Sequence, residues 1–203
     1  MKPVRVAIFA SGTGSNAMAL IQKSRSLKGL EIGFVLSDKT TAPVLAKAQA
    51  SGVRTYLVEK KTDRAAHEHQ VLGLLKEHHI DWVLLAGYMR LLSSDFLKTF
   101  SAWHGGASQV VNIHPSLLPA YPGVDSIARA FNDGVSESGV TLHLVDEGMD
   151  TGTVLNQGAL PLMAGETLDR WALKIHDLEH RMYTEFLESL ALKQRSTSYF
   201  EET

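Results

Sequence analysis

Val4-Arg5-Val6-Ala7-Ile8-Phe9-Ala10-Ser11-Gly12-Thr13-Gly14-Ser15-Asn16 decides the fold. A nearly continuous apolar run enters a turn with two glycines, and residues 16–24 then carry apolar side chains at helical spacing. Apolar residues without alternation predict a strand covered on both faces. Working outward, the same unit recurs. Strands are expected over Glu31–Asp38, Val53–Glu59, Asp81–Gly87 and Gln109–His114, with helices over Asn16–Ser24, Ala42–Ala50, Asp63–His78 and Ser94–Phe100. Regular alternation of this kind predicts an α/β protein: an open, mostly parallel sheet with helices on both faces. After Pro115 the rhythm changes. Pro115, Pro119 and Pro122-Gly123 predict an irregular segment, because each proline fixes its own φ and restricts the residue before it. A short helix over Ser126–Asn132 and strands over Val140–Val145 and Thr153–Leu162 follow, bringing the sheet to about seven strands. A C-terminal helix over Glu166–Leu190 closes the fold on Leu168, Trp171, Leu178, Met182, Phe186 and Leu190, and residues 196–203 read as a loose tail.

Composition narrows the class. The 203 residues suit one domain large enough to bury a core, and neither a repeat nor a linker divides them. Without cysteine there is no disulfide framework, thiolate zinc site or cysteine nucleophile. Twenty Lys+Arg against 22 Asp+Glu argue against nucleic-acid binding by bulk charge. No apolar run approaches the roughly 18 residues of a membrane span, and the N-terminal apolar stretch is too short for a signal peptide. A soluble, cytoplasmic protein is expected.

Chemistry concentrates in three places. The first is the turn Ser11–Asn16. Glycines there let the backbone approach an anion, and free N–H groups at a helix start favour negative charge. Gly12–Ala17 also fits the loose Rossmann dinucleotide fingerprint, with Asp38 at about the expected spacing of roughly 20 residues. Phosphate or carboxylate binding, a nicotinamide dinucleotide, and a plain βα turn N-capped by Ser15 or Asn16 all remain open on this turn alone. The second place is Asn112-Ile113-His114-Pro115-Ser116-Leu117-Leu118-Pro119. Two apart on one strand, Asn112 and His114 face the same way, at the strand end where open α/β sheets bind ligands. An amide donor beside a group that donates and releases protons suits a carbonyl becoming an oxyanion, although a polar strand end can also be structural. The third is Asp146–Gly152, with His143 just upstream: a solvated loop, a weak oxygen-ligand site, or a flexible arm delivering a carboxylate to His114. No spaced ligand set points to a metal. His67, His69, His78 and His79 read as solvated on a surface helix, and Trp82, Trp171 and Phe186 as core.

Together these segments closely resemble the phosphoribosylglycinamide formyltransferases of purine biosynthesis. The matching residues are Ser11–Asn16, Leu85-Ala86-Gly87-Tyr88-Met89-Arg90, Asn112–Pro119 with Tyr121-Pro122-Gly123, Gly139–Gly152 and Glu179-His180. The resemblance implies a single formyltransferase domain over 1–203, with a phosphate-binding half (1–108) and a catalytic and folate-binding half (109–195). It further implies formyl transfer from 10-formyltetrahydrofolate to glycinamide ribonucleotide, without a metal, by a monomer or homodimer that binds neither nucleic acid nor membrane. By the same resemblance Asn112, His114 and Asp150 are catalytic. Gly14, Ser15 and Asn16 would hold the substrate phosphate and Glu179 its ribose. Met89, Arg90, Leu91 and Leu92 would line the folate pocket, with Asp146 on the closing loop and Arg64 near the folate carboxylates. Another folate-dependent formyltransferase, a formyltetrahydrofolate hydrolase or a nicotinamide-dinucleotide protein are the competing readings. The 203-residue length leaves little room for the additional domains of larger relatives. Two features depart from the family pattern: Asp125 and Ile127 stand where histidines are common, and the connection Ser101–Ser108 is long.

Overall fold

The computed structural model describes residues 2–60 and 63–198, and within them seven strands form one sheet. The elements are β1 (Val4–Phe9), α1 (Ser15–Ser24), β2 (Leu30–Ser37), α2 (Pro43–Ala50), β3 (Thr55–Leu57), α3 (Arg64–Glu77), β4 (Trp82–Leu85), α4 (Ser94–Ala102), β5 (Val110–His114), α5 (Ser126–Asn132), β6 (Glu137–Leu144), β7 (Val154–Pro161) and α6 (Leu168–Ser198). Strand order is β3-β2-β1-β4-β5-β6-β7. The first five strands are parallel, whereas β6 and β7 pair antiparallel. The expected open α/β sheet is therefore present. Its order reverses direction between β1 and β4, which opens a crevice beyond the carboxyl ends of those strands.

Two apolar layers cover the sheet. One packs α1, α2 and α6 against Val6, Ile8, Leu84 and Val111; the other packs α3 and α4 against Ala7, Phe9, Val83 and Leu85. Alternate residues of β1 thus enter opposite layers, as the period of two requires. Trp171 is fully buried, and Trp82 meets Phe186 edge-to-face at 5.7 Å. Both are core contacts, as expected. Tyr183 of α6 reaches between strands and donates its buried hydroxyl to the carbonyls of Leu85 (3.1 Å) and Val111 (3.0 Å), tying the helix to the strand ends that carry the site.

Several boundaries differ from expectation for physical reasons. Residue 53 leaves the expected third strand because its N–H bonds the Ala48 carbonyl at the end of α2, so β3 covers only Thr55–Leu57. Strand β6 begins at Glu137 rather than Val140, because Gly139 and Gly158 allow the two chains to approach. A Cβ on Gly139 would lie 1.9 Å from the Gly158 carbonyl oxygen. The last helix starts at Leu168, after Thr167, and continues to Ser198, so residues 196–198 of the expected tail are helical. Residues 199–203 lie outside the described residues. His67 is the clearest reversal: it is 2% exposed, not solvated, with Nδ1 on the Glu59 carbonyl and Nε2 on the Tyr88 hydroxyl. Burial holds its pKa below the usual imidazole range, against the hydrogen bond it donates to the Glu59 carbonyl.

Candidate active site

A cavity of about 880 Å³ opens at the carboxyl end of the sheet, spanning the β1/β4 crevice and the end of β5. Three backbone segments build it: the turn after β1, the irregular stretch after β4, and β5 with the loops that follow it.

The β1 turn is made by backbone. Gly14 is the N-cap of α1 at φ 77°, and no side chain caps the helix. The alternative of a turn capped by Ser15 or Asn16 is therefore not met, and the first-turn N–H groups carry no side-chain cap. Only glycine fits at 14. A Cβ there would sit 2.3 Å from Cγ2 of Val44, in a conformation that side chains rarely adopt. Asn16 points inward and is 9% exposed. Its Nδ2 donates to Glu179 Oε1 at 3.2 Å, while its Oδ1 is buried without a partner. Glu179, on α6, also accepts from His176 Nδ1 at 2.6 Å. That hydrogen bond raises the His176 pKa, against partial burial and with help from the charges of Glu179 and Asp177. Asp38, the acid of the dinucleotide reading, is 8% exposed and takes the Ser11 hydroxyl at 2.5 Å; it is not among the residues lining the cavity.

A second part of the lining is made by side chains. Asn112 and His114 leave β5 on one face. Asp150 arrives on the loop after β6, with its carboxylate 3.4 Å from His114 Nδ1 and 3.5 Å from Asn112 Nδ2. The Gly123 N–H anchors the same carboxylate at 2.8 Å. His114 Nε2 lies 2.9 Å from the Tyr121 carbonyl, so both ring nitrogens face acceptors and the doubly protonated ring satisfies both. Burial by itself would raise the Asp150 pKa. Bonds from His143 and Gly123, with the charges of His114 and His143, outweigh it and hold Asp150 below the ordinary carboxylate range. Asp150, Tyr121 and Asp125 all have positive φ (57°, 54° and 55°), so this wall stores backbone strain of about 1–3 kcal/mol per residue.

Sequence reading attached no role to His143. Register explains the omission: β6 is antiparallel to β5, and His143 stands directly opposite Asn112. Its Nδ1 meets the Leu144 carbonyl at 2.9 Å, and its Nε2 lies 3.1 Å from Asn112 Nδ2 and 3.6 Å from Asp150 Oδ1, so the ring borders both the amide and the carboxylate. Only the pairing of two distant strands reveals this contact.

A family model described as formyl transferase matches residues 4–187. The chain belongs to the formyl transferase family. It is 37% identical over 189 residues to a phosphoribosylglycinamide formyltransferase of Bacillus subtilis, covering 92% of this chain and 94% of that one. It is 35% identical to a human trifunctional purine biosynthetic protein over 94% of this chain but only 18% of that much longer protein. Among solved structures, phosphoribosylglycinamide formyltransferases from Streptococcus pneumoniae (TM-score 0.82, 41% identity, 94% of this chain and 99% of that one) and Brucella melitensis (TM-score 0.85, 40%, 94% and 96%) share its fold.

In this formyl transferase Gly14, Ser15, Asn16, Met89, Arg90, Leu91, Leu92, Asn112, His114, Asp146, Asp150 and Glu179 all line the one cavity. Residues 89–92, from the first half of the chain, therefore share a wall with the second half. Arg64 does not line it. Its side chain is half exposed and donates to Glu68 (3.1 Å) and to the Leu91 carbonyl (2.8 Å), which holds it at the rim. Asp146 organises the loop after β6 by accepting from Gly148 N and Thr151 Oγ1. Asp125 and Ile127 also line the cavity. Among the described residues, no group of three or more His, Cys, Asp or Glu is arranged to hold a metal ion, and no helix is long and apolar enough to cross a membrane.

Proposed function

We propose that this formyl transferase moves the formyl group of 10-formyltetrahydrofolate to the glycinamide amine of glycinamide ribonucleotide in purine biosynthesis. One observation carries the reading: the backbone-built turn after β1 and the Asn112–His114–Asp150 cluster line the same cavity. The phosphate belongs on the N–H groups of Gly14–Asn16, where an anion gains from the helix start without needing a basic side chain. The folate donor supplies an activated formyl group. Its flat ring system fits the exposed apolar side chains of Met89 and Leu91 (63% and 50% exposed) and Met149, which line the same cavity. An Arg90 guanidinium nitrogen, buried without a partner, supplies an unmet donor in the same lining.

The chain's own groups then divide the work. Asn112 offers an N–H to the formyl oxygen as the amine approaches and negative charge grows there. His114, doubly protonated between Tyr121 and Asp150, offers a second, charged donor. Ionised Asp150 stabilises that ring. It also lies where it, or a water beside it, can take the proton from the attacking amine and pass it toward the departing nitrogen. Holding both substrates in one cavity supplies orientation, which is worth several kcal/mol in such transfers. In this reading residues 1–203 act as one domain: 1–108 contribute the phosphate turn, and 109–195 contribute the catalytic cluster and closing loop. The enzyme works in the cytoplasm.

Thermal shift with separate additions tests the proposal. Glycinamide ribonucleotide and a non-reactive folate analogue should each raise the Tm, since a ligand that favours the folded state stabilises it, and NAD(H) should not. Stabilisation by NAD(H) alone would overturn the reading.

A further inference from the structure

We infer that Glu68 is a positioning residue for the cavity wall formed by residues 89–93, setting affinity for the formyl donor without touching it. The inference rests on the donor-site reading of that wall. Glu68 lies on α3, outside the cavity lining, and is 7% exposed. A carboxylate so buried is tolerated only when its oxygens are taken up by donors. Here every donor belongs to this wall or its rim. Oε1 accepts the Ser93 N–H at 2.9 Å and Arg64 Nε at 3.1 Å, and Oε2 accepts the Ser93 hydroxyl. Arg64 passes the contact on by donating to the Leu91 carbonyl at 2.8 Å. The Ser93 hydroxyl accepts the Phe96 N–H at 3.1 Å, so the same group caps α4.

The wall depends on such outside support because residues 86–93 belong to no helix or strand. Without a ladder, its backbone groups must be satisfied from elsewhere. At the near end the Ser11 hydroxyl accepts the Met89 N–H at 3.0 Å and donates to Asp38. At the far end the Leu91 carbonyl and Ser93 N–H are held directly or through Arg64 by one carboxylate. Leu92, between them, is buried at 5% exposure, while Met89 and Leu91 are held out toward the cavity. Loss of the Glu68 charge weakens both backbone anchors together, since both bonds fall on Oε1. Residues 14–18, at the start of α1, share none of the bonds to Glu68; the turn meets the wall only at its near end, through Ser11.

The test is Glu68→Gln, read by steady-state kinetics and by amide hydrogen exchange. Glutamine keeps the size but loses the charge, which weakens both bonds to the Oε1 position, and its N–H₂ meets the Ser93 hydroxyl. The donor KM should rise about tenfold, the effect of losing one charge-assisted hydrogen bond, while kcat and the KM for glycinamide ribonucleotide stay within about twofold. Exchange at residues 89–93 should quicken by about tenfold or more, with residues 14–18 unchanged. If Glu68→Gln does not fold, Ser93→Ala removes one arm alone and should show the same pattern at smaller size. Unchanged exchange at 89–93, or an equal rise in both KM values, would overturn the inference. Should wild-type protein transfer no formyl group, the donor reading falls, and exchange at 89–93 against 14–18 still decides the role of Glu68.

Discussion

The two faces of the cavity are built on opposite principles. The turn after β1 works through backbone: a left-handed glycine, unpaired first-turn N–H groups and one inward asparagine, contiguous in sequence and close to their strand. The other face works through side chains drawn from β5, β6 and two loops, with Asp150 arriving 36 residues after His114 and set by strained backbone. A backbone site grips a charge that both ground and transition states share. A side-chain cluster with a mobile proton can respond to charge that appears only during reaction. Binding should therefore live on one face and rate on the other.

Substitutions sharpen that contrast. The largest expected effect is on rate. Asn112→Ala or His114→Ala should lower kcat by about 10²–10³-fold, the range for one oxyanion donor, with both KM values nearly unchanged. Steady-state kinetics would break the comparison if either variant turned over normally or lost only affinity. Next comes Gly14→Ala, which forces a Cβ against Val44 at positive φ. It should raise the KM for glycinamide ribonucleotide by about tenfold or more and lower stability by roughly 1–3 kcal/mol, with kcat of the folded fraction largely kept. A kcat defect as large as that of His114→Ala would merge the two faces.

The smallest effect is on pH-dependent stability. The folded-state pKa of Asp150 lies below its unfolded value, so its contribution is present above the ordinary carboxylate range, about 3.9, and is lost as pH falls through the lowered value. Wild type should exceed Asp150→Asn in denaturant stability at neutral pH, and the gap should close in acid. A gap that stays unchanged however far the pH falls would show that Asp150 is not held as a carboxylate by its neighbours.

The same contrast explains what was legible in sequence. Strand–helix alternation, the Gly12–Asn16 turn and the Asn112/His114 pair are short-range patterns, and the sheet and both faces of the cavity follow from them. The contact of His143 with Asn112 depends on antiparallel register between strands whose pairing residues are 31 apart, and no local pattern encodes register. His67 sits on a helix without a sharp apolar stripe, so neither its burial nor its bond to Tyr88 could be read from periodicity. Arg64 came only from the family resemblance, which implied a place near the folate carboxylates. Its direction, toward the Leu91 carbonyl, depends on the buried Glu68 one turn later.

The central claim is that the two faces act on one formyl group. The most direct measurement is consumption of 10-formyltetrahydrofolate by the purified chain, with glycinamide ribonucleotide present and with water alone. Loss of the donor should be matched one for one by formylated glycinamide ribonucleotide, with negligible loss without the acceptor. Donor loss at the same rate in water alone, or none with the acceptor present, would contradict it.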